Sequence, residues 1–192
     1  MLQELIDTFE EVKKYIYIID RGSLEPIIIK FKNEHFYHLI GLHKINIDMF
    51  FPKQMHSKDK RYKHIKKNVT KYENIINNQI KDKYLLELRI KTFHNILNML
   101  NEVNNTTLYN LKEKVPGSAY NGDYGLLNII ENIYCLLGLK LDSTINNSTV
   151  YVPQSWMASN RANKLIYGKP PIYFKKIIAI PIKLYNDDMS YI

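Results

Sequence analysis

Near Asn104-Asn105 the spacing of apolar residues changes from the helical period to the strand period, and this change limits the folds open to the chain. Upstream, Tyr62, Ile65, Val69, Tyr72 and Ile76 share one face, which predicts a helix over 57–80. Leu86, Ile90, Phe93, Leu97 and Leu100 predict a second helix over 82–103. Neither stretch contains Gly or Pro. Downstream, Thr106–Lys112, Tyr124–Ile129, Ile133–Lys140, Thr149–Val152 and Tyr173–Leu184 read as strands. Pro116-Gly117, Asn121-Gly122 and Asn146-Asn147 punctuate them. Strands after helices indicate an α+β fold with an antiparallel sheet.

The N-terminal quarter adds both kinds of element. Leu2, Leu5, Ile6, Phe9 and Val12 mark an amphipathic helix over 2–14. Tyr15–Asp20 and Pro26–Phe31, separated by an Arg21-Gly22-Ser23 turn, predict a hairpin. His35–Leu42 fits a short helix stopped by Gly41. With 192 residues, one domain over 1–192 with a helical insertion at about 53–103 is the expected organisation.

Several function classes lack their signatures. The chain has no GxxxxGK[ST], GxGxxG or GxSxG. Its one cysteine, Cys135 in IYCLLGL, reads as a core thiol and excludes a disulfide framework. No apolar run approaches the roughly 20 residues of a membrane helix. The acidic, amphipathic start is unlike a secretory signal, so a cytoplasmic setting is expected.

The formal net charge is +8. From Lys53 to Lys71 there are eight basic residues and one acid, Asp59, so that window alone carries +7. Lys60, Lys63, Lys67 and Lys71 lie on another face of the predicted helix, and Arg61 joins them as a candidate nucleic-acid contact. Phosphate is the usual partner of such a stripe; a solvated face is the plainer alternative. Acidic lipid fits less well, because the opposite face has core spacing.

His35 and His38 stand three apart on the short helix, with His43 just beyond. No acidic motif accompanies them as a metal site would require. Incidental surface histidines and acid/base chemistry remain the alternatives. His94, after Phe93, reads as a packing residue. Lys114–Tyr124 and Tyr151–Trp156, with Arg161 shortly after, place Ser and cations beside strands. Ordinary turn chemistry is the plainer reading of each.

The order of these blocks resembles a known family. A hairpin ending in IIIKF precedes FYHLIGL, a helical insertion, SAYNGDYGLL, YVPQSW and the terminal YFKKIIAIPI. This is similar to the phage-associated nuclease-like family of the Barnase–EndoU–colicin–RelE (BECR) superfamily, over nearly the whole chain. FYHLIGL is the sharpest element. The resemblance implies a ribonuclease that needs no metal or cofactor and acts in conflict between mobile elements and hosts. An antitoxin or a host protein would then be its protein partner. By position the family's helix histidine falls on His38, and its polar strand residues on Ser118 and Ser155.

On that reading His38, titrating near its ordinary value, exchanges the proton. Lys114 and Arg161 steady the phosphate charge, Ser118 and Ser155 donate to phosphate oxygens, and the basic helix holds flanking RNA backbone. No histidine of the later strands offers a second acid/base group. The rival reading is a module of the same fold that has lost catalysis and binds nucleic acid or a host protein.

Overall fold

The computed structural model describes residues 1–53, 55–80, 83–101, 103–112, 122–145, 148–161, 166 and 169–185. Helix α1 spans Leu2–Val12, and its Leu2, Leu5, Ile6, Phe9 and Val12 are all buried. Strands β1 (Tyr15–Arg21) and β2 (Leu24–Lys30) form the expected antiparallel hairpin. Helix α2 covers Asn33–Leu39.

The two predicted long helices are each broken. The first divides into α3 (Lys58–Lys67) and α4 (Val69–Ile80) at Asn68, whose φ of −132° and ψ of 44° are not helical. The Asn68 side-chain amide donates to the His64 carbonyl at 2.9 Å, ending α3 where water would otherwise. The second divides into α5 (Tyr84–Thr92) and α6 (Ile96–Asn101) around a 3-10 turn, Phe93–Asn95. That turn buries Phe93 and leaves His94 exposed, so His94 is not the packing residue expected.

The remaining strands are β3 (Thr106–Asn110), β4 (Tyr124–Ile130), β5 (Ile133–Ile145), β6 (Ser148–Ser159), β7 (Pro171–Ile172) and β8 (Lys176–Pro181). All eight form one sheet in the order β7-β3-β4-β5-β6-β2-β1-β8. Its pairs are antiparallel except the seam between β2 and β6, where Ile28 and Ile29 face Val150 and Tyr151 in parallel. The sheet is thus a hairpin unit and a meander joined along one seam.

Two predicted strand boundaries move. YVPQSW is not a turn but the middle of β6. Register shifts between Gly138 and Leu139, opposite Ser155 and Pro153, which absorbs a proline with no N–H to give. Tyr173–Leu184 is not one strand. Its neighbours β7 and β8 lie at opposite ends of the strand order, joined by only residues 173–175.

That connection dictates the sheet's shape. Four steps of chain reach roughly 14 Å at most, whereas seven strand spacings in a flat sheet cover roughly 34 Å. The sheet is therefore curled until its edges nearly meet. A second contact requires the same curl: the Arg21 guanidinium on β1 lies 5.5 Å from the Tyr124 ring on β4, with three strands between them in the order. Lys112, just after β3, approaches that ring at 5.7 Å.

The curled sheet holds the helices against its inner face. α2 and α5 meet β6, and α6 touches both β4 and β8. One core cluster contains Phe9, Tyr62, Tyr72, Phe93 and Met99 from the helical regions and Tyr17, Ile27, Leu126 and Trp156 from the sheet. Trp156 Nε1 donates to Thr92 Oγ1 at 3.1 Å, pinning α5 to β6. The connecting segment alternates: Phe174 is buried in that core while Tyr173 and Lys175 on either side are exposed. Phe174→Ala is expected to cost roughly 3 kcal/mol, as truncating a buried Phe does, and Phe174→Leu less. Denaturant unfolding of the two variants checks this.

Candidate active site

The short helix α2 begins with its own histidine. His35 Nδ1 accepts the Lys32 backbone N–H at 3.0 Å, and the His35 N–H donates to the Lys32 carbonyl at 3.0 Å. His35 is 8 % exposed. Burial, reinforced by Lys32, pushes its pKa down to about 4, so it is a neutral capping residue. Phe36, Tyr37, Leu39 and Ile40 bury the helix against the core. His38 is left half-buried on the remaining side.

The chain turns sharply after α2. Gly41 has φ of +79°, a conformation costly for other residues. The neighbours also crowd it: a Cβ there would lie 2.7 Å from Leu86 Cδ1 and 2.9 Å from Arg89 Nη1, so those side-chain ends would have to shift. The following 3-10 turn, Leu42–Lys44, folds back along the helix end. It brings His43 against His38, ring centroids 4.8 Å apart. A second histidine therefore does stand beside His38, supplied by the next turn rather than by a later strand.

Arg89 closes the group from α5. It is 6 % exposed, and Nη1 donates to the His38 carbonyl at 3.4 Å, an arrangement that satisfies the end of α2. Burial pulls its pKa down to about 10, and among the described residues no carboxylate pairs with it. Lys44 is also lowered, by burial and then by Arg89. Lys83 Nζ donates to the Lys44 carbonyl at 3.0 Å and holds the turn.

These cations set the state of the histidines. Burial first, then His38, Arg89 and Lys44, push His43 down to about 4, opposed by its hydrogen bond to the Tyr37 backbone. Burial and Lys58 lower His38. His38 thus does not keep its ordinary value. The acids nearby are engaged elsewhere. Asp48 accepts from Tyr37 and Arg61, Asp59 pairs with Lys63, Asp142 with Lys32 and Glu87 with Lys91. Two neutral imidazoles amid unopposed cations can accept protons and hold an anion. Among the described residues no three His, Cys, Asp or Glu side chains gather as metal ligands.

The other predicted residues fall elsewhere. Lys114 and Ser118 lie outside the described residues. Ser155 belongs to β6 on the face away from the helices. Its neighbour Trp156 points into the main core, and Met157, the next outward residue, joins the outer cluster of Leu111, Leu127 and Leu136. Ser155 opposes Gly138, which opposes Gly125, and its Oγ is buried without a hydrogen-bond partner among the described residues. The sheet separates it from His38. Arg161 is exposed just past β6, its N–H donating to Ser159 Oγ at 3.1 Å.

The basic helix is divided in its uses. Arg61 turns inward: it pairs with Asp48 at 3.0 Å, donates to the Met55 carbonyl and lies over the Tyr37 and Phe51 rings. Lys63 pairs with Asp59 at 2.8 Å. Lys60 and Lys67 are exposed. Lys71 lies beyond the break, over the Tyr72 ring.

Sequence reasoning missed Arg89, Lys44 and the role of His43. The available signal was a lone Arg among Leu86, Leu88 and Ile90, where a charge needs a reason. The His43-Lys44 pair, one residue beyond the turn glycine Gly41, was another.

Among the described residues, bases and unopposed cations thus gather at one helix end inside a curled sheet. Residues 2–177 match the family described as phage-Barnase-EndoU-ColicinE5/D-RelE like nuclease4. The chain belongs to this family of phage-associated nucleases, and nucleic acid is its class of substrate. No curated protein and no solved structure matches it. Among the described residues no helix is long and apolar enough to cross a membrane. Ser155→Ala is expected to leave cleavage intact and stability unchanged or raised, because it removes a buried hydroxyl that has no partner. Paired melting and nuclease assays check this.

Proposed function

We propose that this protein is an endoribonuclease that cleaves RNA by transesterification, working as an effector of a phage or mobile element. The observation that carries the reading is the His38–His43 pair beside Arg89 and Lys44, with no opposing carboxylate among the described residues. His38, neutral and half-buried, takes the proton of the 2′-OH. The 2′-oxygen attacks the adjacent phosphorus and the bond to the 5′-oxygen breaks. The proton passes from His38 to the adjacent His43 and from it to that leaving oxygen, so both rings start and end neutral. Arg89 and Lys44 face the phosphorane oxygens, where fixed cations are usually a large catalytic contribution.

The lowered histidines suit this sequence of events. Both repulsion by cations and burial keep them neutral in the free site. A bound phosphate offsets Arg89 and Lys44, and one imidazole can then hold the proton the leaving group needs. The reading uses nitrogen bases and cations only, which supports a reaction that needs no metal. A protein partner would be an antitoxin or a host protein occluding this helix end.

The test is incubation of the purified protein with total RNA in EDTA. Fragments ending in 2′,3′-cyclic phosphate are expected. Retained binding without cleavage would instead mark a binding module. His38→Ala and His43→Ala should each lose roughly 10²–10⁴-fold in rate with little change in melting temperature, whereas His35→Ala should lose stability. A general base must be unprotonated to act, so kcat/KM rises with pH and should level off already below the ordinary histidine value of 6.5. A base limb centred above that value would exclude His38 from the role.

The free lysines of α3 hold flanking backbone in this reading. Lys60→Gln with Lys67→Gln should flatten the log–log salt dependence of single-stranded RNA binding by roughly 1.4, at about 0.7 per phosphate. Arg61→Gln should instead lower the melting temperature, because its guanidinium holds Asp48 and two rings. Binding titrations across salt concentrations, alongside melting curves, separate the two.

A further inference from the structure

The segment that closes the sheet also carries an unused surface. Tyr173 is 75 % exposed, the most exposed aromatic ring among the described residues. Lys175 and Lys176 beside it are exposed, and among the described residues neither forms an ion pair. From Asn160 to Tyr185 the sequence has six basic residues and no acid, a second basic region after the one at Lys53–Lys71.

The presentation is rigid. Phe174 is sunk in the core between Tyr173 and Lys175, and the Lys175 N–H donates to the Asp20 carbonyl at 2.8 Å. Lys175 Cε would lie 3.3 Å from a Cβ on Gly22, so its stem runs over the β1–β2 turn. The carboxylates of that turn are occupied. Asp20 accepts the Gly22 N–H at 2.8 Å, and Glu25 accepts the Thr149 N–H at 3.1 Å. The Arg21 guanidinium is held by the Glu25 carbonyl and the Tyr124 ring. An open ring on an anchored backbone, with free cations next to it, is the arrangement on which an unpaired base stacks while its backbone is neutralised.

We propose that this strap docks single-stranded RNA outside the cleavage site, one base stacking on Tyr173 and phosphates meeting Lys175 and Lys176. The ligand class rests on the nuclease reading; the surface itself does not. An acidic protein would meet the lysines but has no need of the open ring.

The probe is a fluorescein-labelled 2′-O-methyl oligoribonucleotide of about a dozen residues, which lacks the nucleophile and is not cleaved. Its anisotropy is titrated with the full chain. Tyr173→Ala should weaken binding roughly ten-fold, the scale of one lost stacking contact, without changing the salt slope. Tyr173→Phe should bind as the parent does. Lys175→Gln with Lys176→Gln should flatten the slope by roughly 1.4. Cleavage of a dinucleoside monophosphate, too short to reach the strap, should be unaffected by all three.

Unchanged affinity in Tyr173→Ala overturns the proposal, even if the parent cleaves RNA. An equal loss in Tyr173→Phe overturns the stacking role. Loss of affinity in Tyr173→Ala with no cleavage by the parent leaves the strap standing and refutes the enzyme reading instead.

Discussion

The short connection between β7 and β8 governs this protein. Three residues must join strands at opposite ends of an eight-stranded sheet. The sheet can satisfy that only by curling, and a curled sheet has an inner face that must be filled. The helices supply the filling, with Phe174 entering at the gap between the two edges. Closure also limits exposed strand edges, which otherwise invite pairing with other chains.

The candidate site follows from this arrangement. β6 lies in the middle of the sheet and receives both α2 and α5. With α5 pinned by the Trp156–Thr92 hydrogen bond, Arg89 is carried beneath the end of α2. Gly41 permits that approach by lacking a Cβ, and its left-handed conformation turns His43 back onto His38. A buried guanidinium without a carboxylate is costly unless another anion completes it. In the proposed reaction the substrate's phosphate would be that anion.

Other polar groups are structural. Tyr62 donates to Glu10, whose carboxyl burial pushes up while Lys13, Tyr62 and Lys66 pull it down to about 2. Arg61, Tyr37 and Asp48 form a similar knot between α2 and α3. Such groups draw the same side chains as catalysis does. Partners tell them apart: Arg61 has its acid, and Arg89 has none among the described residues.

Local pattern was enough for the class of fold, the N-terminal helix and hairpin, the short histidine helix and the change to strands near residue 105. Those features depend on apolar spacing and turn residues within a few positions, and the chain carries them on its surface of letters. The breaks at Asn68 and Phe93–Asn95 were not legible, because each rests on a side-chain cap or a core fit rather than on Gly or Pro. Ser155 was misplaced for a related reason: a bulge beside Pro153 and strand alternation decide its face, and both require the partner strand. His38 was visible in its motif, but its neutrality, its partner His43 and the unopposed Arg89 belong to segments up to 51 residues apart. Distances between such segments are settled only when the sheet curls and the helices are packed inside it.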